Sequence, residues 1–285
     1  MAINYDKLRA LDVPAVEQSY SERDTMLYAL GVGLGHDPVD EAELAFVYEK
    51  RLRALPTMVN VLAHSPFWLR DLPTGVDYSK VVHGEQWFRL KRPLPVSGRV
   101  HSKPRVLDVF DKGAGKGAVV LSERILTDAA SGETIAEIRQ SAFCRGDGGF
   151  GGPAGAATRP QPLPDRAPDH VCDLPTRPEA ALIYRLSGDY NPLHAEPAAG
   201  RAAGYPRPIL HGLATFGVAG RALLKTLCGY DPARLVAMGG RFSAPVFPGE
   251  TIRTEMWRDG SAVTYRARVV ERDVIAINNG QAELA

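Results

Sequence analysis

The stretch Gly146-Asp-Gly-Gly-Phe-Gly-Gly-Pro-Ala-Gly-Ala-Ala-Thr-Arg-Pro-Gln-Pro-Leu-Pro-Asp-Arg-Ala-Pro-Asp-His170 cuts the chain into two comparable halves. Six Gly and five Pro in 25 residues exclude a helix or a central strand, because Pro removes backbone donors and Gly is entropically costly to fix. Residues 151–170 therefore read as a Gly/Pro-rich linker between units at 1–150 and 171–285. A surface excursion of a single domain is the alternative. The two flanks carry similar punctuation. Arg92-Pro-Leu-Pro-Val-Ser-Gly98 leads into an extended run from Arg99 to Val106, and Ala244-Pro-Val-Phe-Pro-Gly249 leads into one from Glu250 to Trp257. Each is followed by two more strand-like runs, Ala118 to Thr127 and Thr134 to Arg145, then Ala262 to Arg272 and Val274 to Ala285. Val263, Tyr265, Ala267 and Val269 alternate with Thr264, Arg266 and Arg268, the period of a half-buried strand. Each half also offers a helix. Ser21 and Asp24 resemble a capping box ahead of Met26, Leu27 and Leu30. A longer helix is expected from Gly212 to Leu227, stopped by Gly229, with Leu213, Phe216, Gly220, Leu223, Leu224 and Leu227 on one face and Arg221 and Lys225 elsewhere. Gly217 and Gly220 would let its backbone pass close to a sheet. The expected class is α+β: a duplicated unit in which a curved antiparallel sheet embraces a long helix.

The 285 residues suffice for a sizeable core. Lys+Arg 34 against Asp+Glu 33 leaves a net charge of +1, which excludes a polybasic nucleic-acid or membrane binder. Hydrophobic content of 45% and charged content of 24% exclude a disordered scaffold. Cys144, Cys172 and Cys228 are widely spaced, so neither a disulfide framework nor a cysteine zinc site is expected. The sequence shows no secretory signal, no apolar run long enough for a membrane span and no peroxisomal C-terminal address. The expected compartment is the cytoplasm.

Chemistry concentrates in Tyr184-Arg-Leu-Ser-Gly-Asp-Tyr-Asn-Pro-Leu-His194. Asn191 before Pro192 is a good helix start, and Gly188 frees the backbone ahead of Asp189. His194 then falls in the first turn, where it and Asp189 can converge on a water and move protons. The same residues also fit a structural role, since Asp and Asn cap turns and a lone His is commonly a packing group. Asp189, His194 and His211 match no standard metal-ligand spacing, so no metal is expected. In Pro208-Ile-Leu-His211-Gly212, the Gly212 N–H opens the long helix and could donate to a developing oxyanion; a tight entry to a buried helix is the plainer alternative. Asp111-Lys-Gly-Ala-Gly-Lys-Gly117 is a flexible two-lysine loop able to meet phosphates, or else an exposed turn.

Tyr-x-Leu-Ser-Gly-Asp-x-Asn-Pro-Leu-His, followed by Pro-Ile-Leu-His-Gly, resembles the signature of the (R)-specific 2-enoyl-CoA hydratases, the MaoC-like or hydratase 2 family. Tyr20 to Gly33, Phe46 to Glu49, Leu55 to Thr57, Val82 to Gln86, Gly148 to Gly152 and Gly240 to Gly249 are similar to the hydratase domain of peroxisomal multifunctional enzyme type 2. The resemblance covers nearly the whole chain and is to a stand-alone form. It implies a double hot-dog fold, two helix-in-sheet units packed side by side with one active site per chain. The first half lacks Gly-Asp-x-Asn-Pro-x-His, so it would serve the substrate, and the catalytic motif lies in the second.

The implied reaction is reversible syn hydration of a trans-2-enoyl-CoA to the (3R)-3-hydroxyacyl-CoA, with medium, long or bulky acyl groups favoured. Asp189 and His194 would activate water and deliver a proton, and Gly212 N–H would hold the thioester oxygen. Asn191 would order the loop, while His83, Gly84, Lys112 and Phe242 would line the acyl-CoA path. No cofactor beyond the CoA of the substrate is expected, and the family suggests a homodimer. The competing readings are a non-catalytic acyl-CoA binding protein and an acyl-CoA thioesterase on the same fold.

Overall fold

The computed structural model describes residues 2–156 and 161–285. Residues 157–160 of the expected linker lie outside the described residues. The first half contributes β1 (Val16–Tyr20), β2 (Val81–Leu90), β3 (Gly98–Asp111), β4 (Ala118–Asp128) and β5 (Thr134–Cys144). The second contributes β6 (His170–Pro175), β7 (Leu235–Phe242), β8 (Thr251–Asp259), β9 (Ala262–Val269) and β10 (Val274–Leu284). The helices are α1 (Tyr5–Arg9), α2 (Glu22–Gly31), α3 (Glu41–Val47), α4 (Trp68–Asp71), α5 (Ala180–Tyr184), α6 (Pro197–Ala202) and α7 (Gly212–Leu227).

The described strands form one antiparallel sheet in the order β1-β3-β4-β5-β2-β7-β10-β9-β8-β6. Read outward from the β2–β7 seam, the halves run β2-β5-β4-β3-β1 and β7-β10-β9-β8-β6, the same connectivity twice. This is the double hot-dog arrangement, with its two sheets fused edge to edge. The seam pairs Glu85 with Arg241, Gln86 with Gly240 and Trp87 with Gly239. Gly239 is required there: a Cβ would lie 1.8 Å from Trp87 Cδ1. Across the seam Arg241 Nη2 donates to Glu85 Oε1 at 2.6 Å.

The meander strands start and stop within a few residues of their sequence signals. The helices depart further. Asp24 accepts from the Ser21 N–H at 2.8 Å, as the capping box requires. The face α2 buries, however, carries Thr25, Tyr28 and Ala29, while Leu30 is exposed. Thr25 Oγ1 donates to Val96 O, and Tyr28 packs on Tyr184, so shape and hydrogen bonding outrank side-chain hydrophobicity there. The first half has no long helix. After α2 the chain turns at Gly33 and Gly35, both at positive φ, and continues in short pieces.

Only α7 is the expected long helix, and it has almost no solvent face: Ala214 through Leu224 are all buried. Its closest neighbour at Gly217 is Val32 of the first half, and at Gly220 it is Thr57, each 2.5 Å from a built Cβ; Met238 Sδ of β7 lies 3.3 Å from the Cβ built at Gly220. These glycines therefore admit the first half as well as the sheet. Arg221, expected away from the packed face, is 3% exposed. Its guanidinium donates to Glu43 Oε1 of α3 at 2.5 Å, and Tyr230 Oη donates to the same oxygen at 2.9 Å. Gly35 N–H donates to the other oxygen, Oε2, at 2.9 Å.

Removing one partner of a buried pair strands the other charge. Arg221→Met should therefore lower the unfolding free energy by about 3–5 kcal/mol. A urea titration would show it, and Arg221→Met with Glu43→Leu should recover part of the loss. An unchanged midpoint in the single variant would rule out a structural role for the pair.

Candidate active site

The segment after α5 is shaped by local hydrogen bonding. A short 3-10 turn, Arg185–Ser187, ends at Gly188, whose φ of 116° only glycine adopts easily. Asp189 Oδ1 accepts from Asn191 N at 3.2 Å, and Asn191 Oδ1 accepts from Leu193 N at 3.0 Å. Asn191 thereby caps the 3-10 turn Pro192–His194 and fixes the loop.

His194 is buried, with Nδ1 2.9 Å from Ile209 O. A carbonyl only accepts, so the neutral ring carries its proton on Nδ1 and keeps a lone pair on Nε2. His211, also buried, donates through Nε2 to Asp189 O at 3.2 Å. Its Nδ1 is buried and has no hydrogen-bond partner among the described residues. The two imidazoles stack with centroids 3.7 Å apart and planes 26° apart, and Tyr184 packs on the far side of His211 at 5.0 Å. Burial lowers the pKa of His194 below its ordinary value, and lowers that of His211 to about 3 with help from the neighbouring His194. Both rings are neutral at neutral pH.

Asp189, His194 and His211 offer ligand atoms within 4.8 Å of one another, a geometry that invites comparison with a metal centre. Stacked rings hold their in-plane lone pairs side by side rather than converging on one ion. The donor set therefore fits a metal poorly.

Asp189 and His194 open onto a cavity of about 310 Å³ that spans both halves. Asp189, Asn191, His194, Gly212, His83 and Phe242 all line it. Gly212 is the first residue of α7, so its N–H has no intrahelical acceptor. A Cβ there would sit 3.5 Å from Phe242 Cε1 and fill the space beside that N–H. Phe242 in turn meets His83 edge-on, with centroids 4.8 Å apart. His83 Nε2 bonds Glu85 O at 3.1 Å, and burial lowers its pKa to about 4.

Two expected lining residues are not among those lining the cavity. Gly84 sits at the β2 bulge, where a Cβ would lie 2.8 Å from Ser141 Oγ. Lys112 Nζ is bonded to Gly155 O. The loop around it is tied down by Asp111, whose carboxylate accepts from the N–H groups of Gly113, Gly149 and Gly151. Sequence reasoning passed over Arg145, the one Lys or Arg among the described lining residues, and the aromatic wall of Phe67, Trp68 and Tyr78. It weighed His211 only as a metal ligand, because no spacing rule announces a ring stack.

Residues 18–146 match the family described as MFE-2 hydratase 2 N-terminal domain, and residues 159–280 match the MaoC like domain. The chain is 40% identical to "Enoyl-CoA hydratase 2, peroxisomal" of Arabidopsis thaliana, over 95% of this chain and 92% of that protein. It is 41% identical to "3-hydroxyacyl-thioester dehydratase Y" of Mycobacterium tuberculosis, over 98% and 94%. The crystal structure of a MaoC-like dehydratase from Phytophthora capsici superposes with a TM-score of 0.87 at 34% identity, covering 99% of each chain.

The buried imidazoles also set an acid limit. In the unfolded chain His83 and His211 take up protons near the ordinary value of about 6.5. In the fold they stay neutral down to about 4 and about 3. Below the ordinary value the unfolded state binds more protons, so stability is full above it and falls as pH drops. Thermal midpoints should decline from about pH 6.5 toward 4, and a His83→Phe variant should lose less over that interval. A flat profile in the unsubstituted protein would contradict the assignment.

Proposed function

Because the chain belongs to the MaoC-like hydratase 2 family, we propose that it catalyses reversible syn hydration of a trans-2-enoyl-CoA to the (3R)-3-hydroxyacyl-CoA. The observation that carries this reading is the convergence of Asp189, a neutral His194 and the free Gly212 N–H on one cavity. Asp189 and His194 Nε2 hold a water between them and draw a proton from it as its oxygen bonds C3. The electron pair displaced from the C2–C3 double bond moves onto the thioester oxygen, where the Gly212 N–H and the positive end of α7 meet the growing charge. Collapse of that enolate-like state takes a proton at C2 from the same pair of groups. In the dehydration direction the same steps run backward. The chemistry asks for no metal and no cofactor beyond the CoA of the substrate.

His211 supports this arrangement without touching substrate, by holding the Asp189 backbone and stacking on His194. Arg145 is exposed at the cavity and suits the CoA phosphates. Phe67, Trp68, Leu69 and Tyr78 of the first half supply an apolar wall for the acyl chain, which favours medium, long or bulky groups. The three free cysteines, two of them buried, suit a reducing compartment such as the cytoplasm.

The test follows the loss of conjugated-enoyl ultraviolet absorbance with trans-2-decenoyl-CoA, and assigns product configuration with an (R)-specific dehydrogenase. Asp189→Asn and His194→Gln should each abolish turnover while leaving the fold intact by circular dichroism. Arg145→Ala should raise KM several-fold with little change in kcat. Retained acyl-CoA binding without turnover in the unsubstituted protein would favour a binding role, and release of free thiol from a saturated acyl-CoA would favour a thioesterase.

A further inference from the structure

Beside the main cavity lies a recess of about 10 Å³, close to the space one oxygen atom needs. The two share His64, Trp68 and Gln140. Neither the His64 imidazole nor the Gln140 amide has a side-chain hydrogen bond among the described residues. The rest of the recess is lined by Ser65, Trp68, Pro104, Ser122, Glu123, Arg124 and Ile138, a polar notch opening off the wall that Phe67, Trp68 and Leu69 give the main cavity. Both side chains are half-buried, so each keeps hydrogen-bonding capacity for a group that enters the recess.

His64 is also deliberately held. The preceding Ala63 sits at φ 45°, in the left-handed region that a residue with a Cβ avoids. Gln18 of β1 accepts from its N–H at 2.6 Å, and Ser102 of β3 donates to its carbonyl at 2.6 Å. The buried Arg124 guanidinium braces the same turn by donating to the carbonyls of Val59, Asn60 and Leu62. Strain maintained by three flanking side chains is a feature of ligand-facing positions. Burial, Arg124 and His83 together push the His64 pKa well below its ordinary value. A neutral imidazole offers one N–H and one lone pair, the complement of a hydroxyl, which both donates and accepts.

The contacts also give direction. Gly212 touches Phe242, Phe242 touches His83, and His83 lines the same cavity as His64 and Gln140. That line runs from the reacting thioester into the first half, along the course of an acyl chain.

We propose that this recess receives a hydroxyl carried on the acyl chain away from the thioester, held by His64 and Gln140, so that the protein selects hydroxylated acyl groups over plain ones. The proposal rests on the acyl-CoA reading above. Its test uses pairs of medium- and long-chain trans-2-enoyl-CoAs, matched in length, with and without a hydroxyl at successive positions along the tail. At the matching position the hydroxylated member should show a kcat/KM at least about tenfold higher, roughly one hydrogen bond's worth. Gln140→Leu and His64→Leu should each bring that ratio toward one while leaving the plain substrate's kcat/KM unchanged or improved. Equal rates for both members at every position, which would mark the recess as a water site only, would overturn the proposal. So would variants that slow both members alike. If the unsubstituted protein hydrates neither, the hydratase reading fails by itself; dissociation constants of matched saturated hydroxyacyl- and acyl-CoAs then decide the recess separately, with the same ratio expected.

Discussion

Helix α7 is enclosed along Ala214 to Leu224, and that enclosure governs the rest of the molecule. A helix between a sheet and solvent needs one apolar stripe. A helix between a sheet and a second folded half needs a partner for every side chain. Gly217 and Gly220 answer by removing side chains where Val32 and Thr57 press closest. Arg221 answers with an ion pair to Glu43, which cannot be solvated and must be geometrically complete. Because α7 is fixed on all sides, its N-terminus is fixed too, and the Gly212 N–H is aimed without any loop having to hold it. That free N–H, the proposed oxyanion donor, is a by-product of how the two halves close on one helix.

The same enclosure explains which parts of the fold were legible in the sequence. The meander strands announced themselves, since Val263, Tyr265, Ala267 and Val269 alternate and each run is bounded by Gly or Pro. The seam strands did not. In β2 the pattern is broken by His83-Gly84, and in β7 by Gly239-Gly240, because their residues answer to each other across the seam and to the cavity. Arg221 was misplaced for a related reason: a charged residue on a helix normally marks the solvent face, and only the position of Glu43, far away in sequence, reverses that. The first-half helix was expected to be long, but Gly31, Gly33 and Gly35 end it after ten residues, and its buried face is chosen by Thr25 and Tyr28 rather than by Leu30.

At the site the legible part was local and the illegible part was tertiary. Asp189, Asn191 and His194 lie within six residues, and their turn chemistry can be read from Gly188 and Pro192 alone. The stack of His211 on His194, the bond from His211 to the Asp189 carbonyl and the braced turn at Ala63 each join segments distant in sequence. Lys112 shows the converse. Its Gly-rich surroundings suggested a free phosphate-binding loop, yet Gly113 of that loop and Gly149 and Gly151 of the segment after β5 supply the N–H groups that bind Asp111, so the loop is held by an internal contact.

The clustering of neutral imidazoles has a chemical consequence. His83 and His194 line one cavity and His211 stacks on His194, burial disfavours the charged forms of all three, and the N-terminus of α7 opens at the same cavity. A permanently charged residue in that space would stabilise a bound thioester and its enolate-like state alike, which lowers the ground state as much as the barrier. Neutral rings and a helix N-terminus act otherwise. They interact weakly with an uncharged carbonyl and strongly once negative charge appears on its oxygen. On the proposed hydration, such a site would keep its electrostatic response for the moment of reaction, because the surrounding packing leaves the imidazoles too little water to hold a proton.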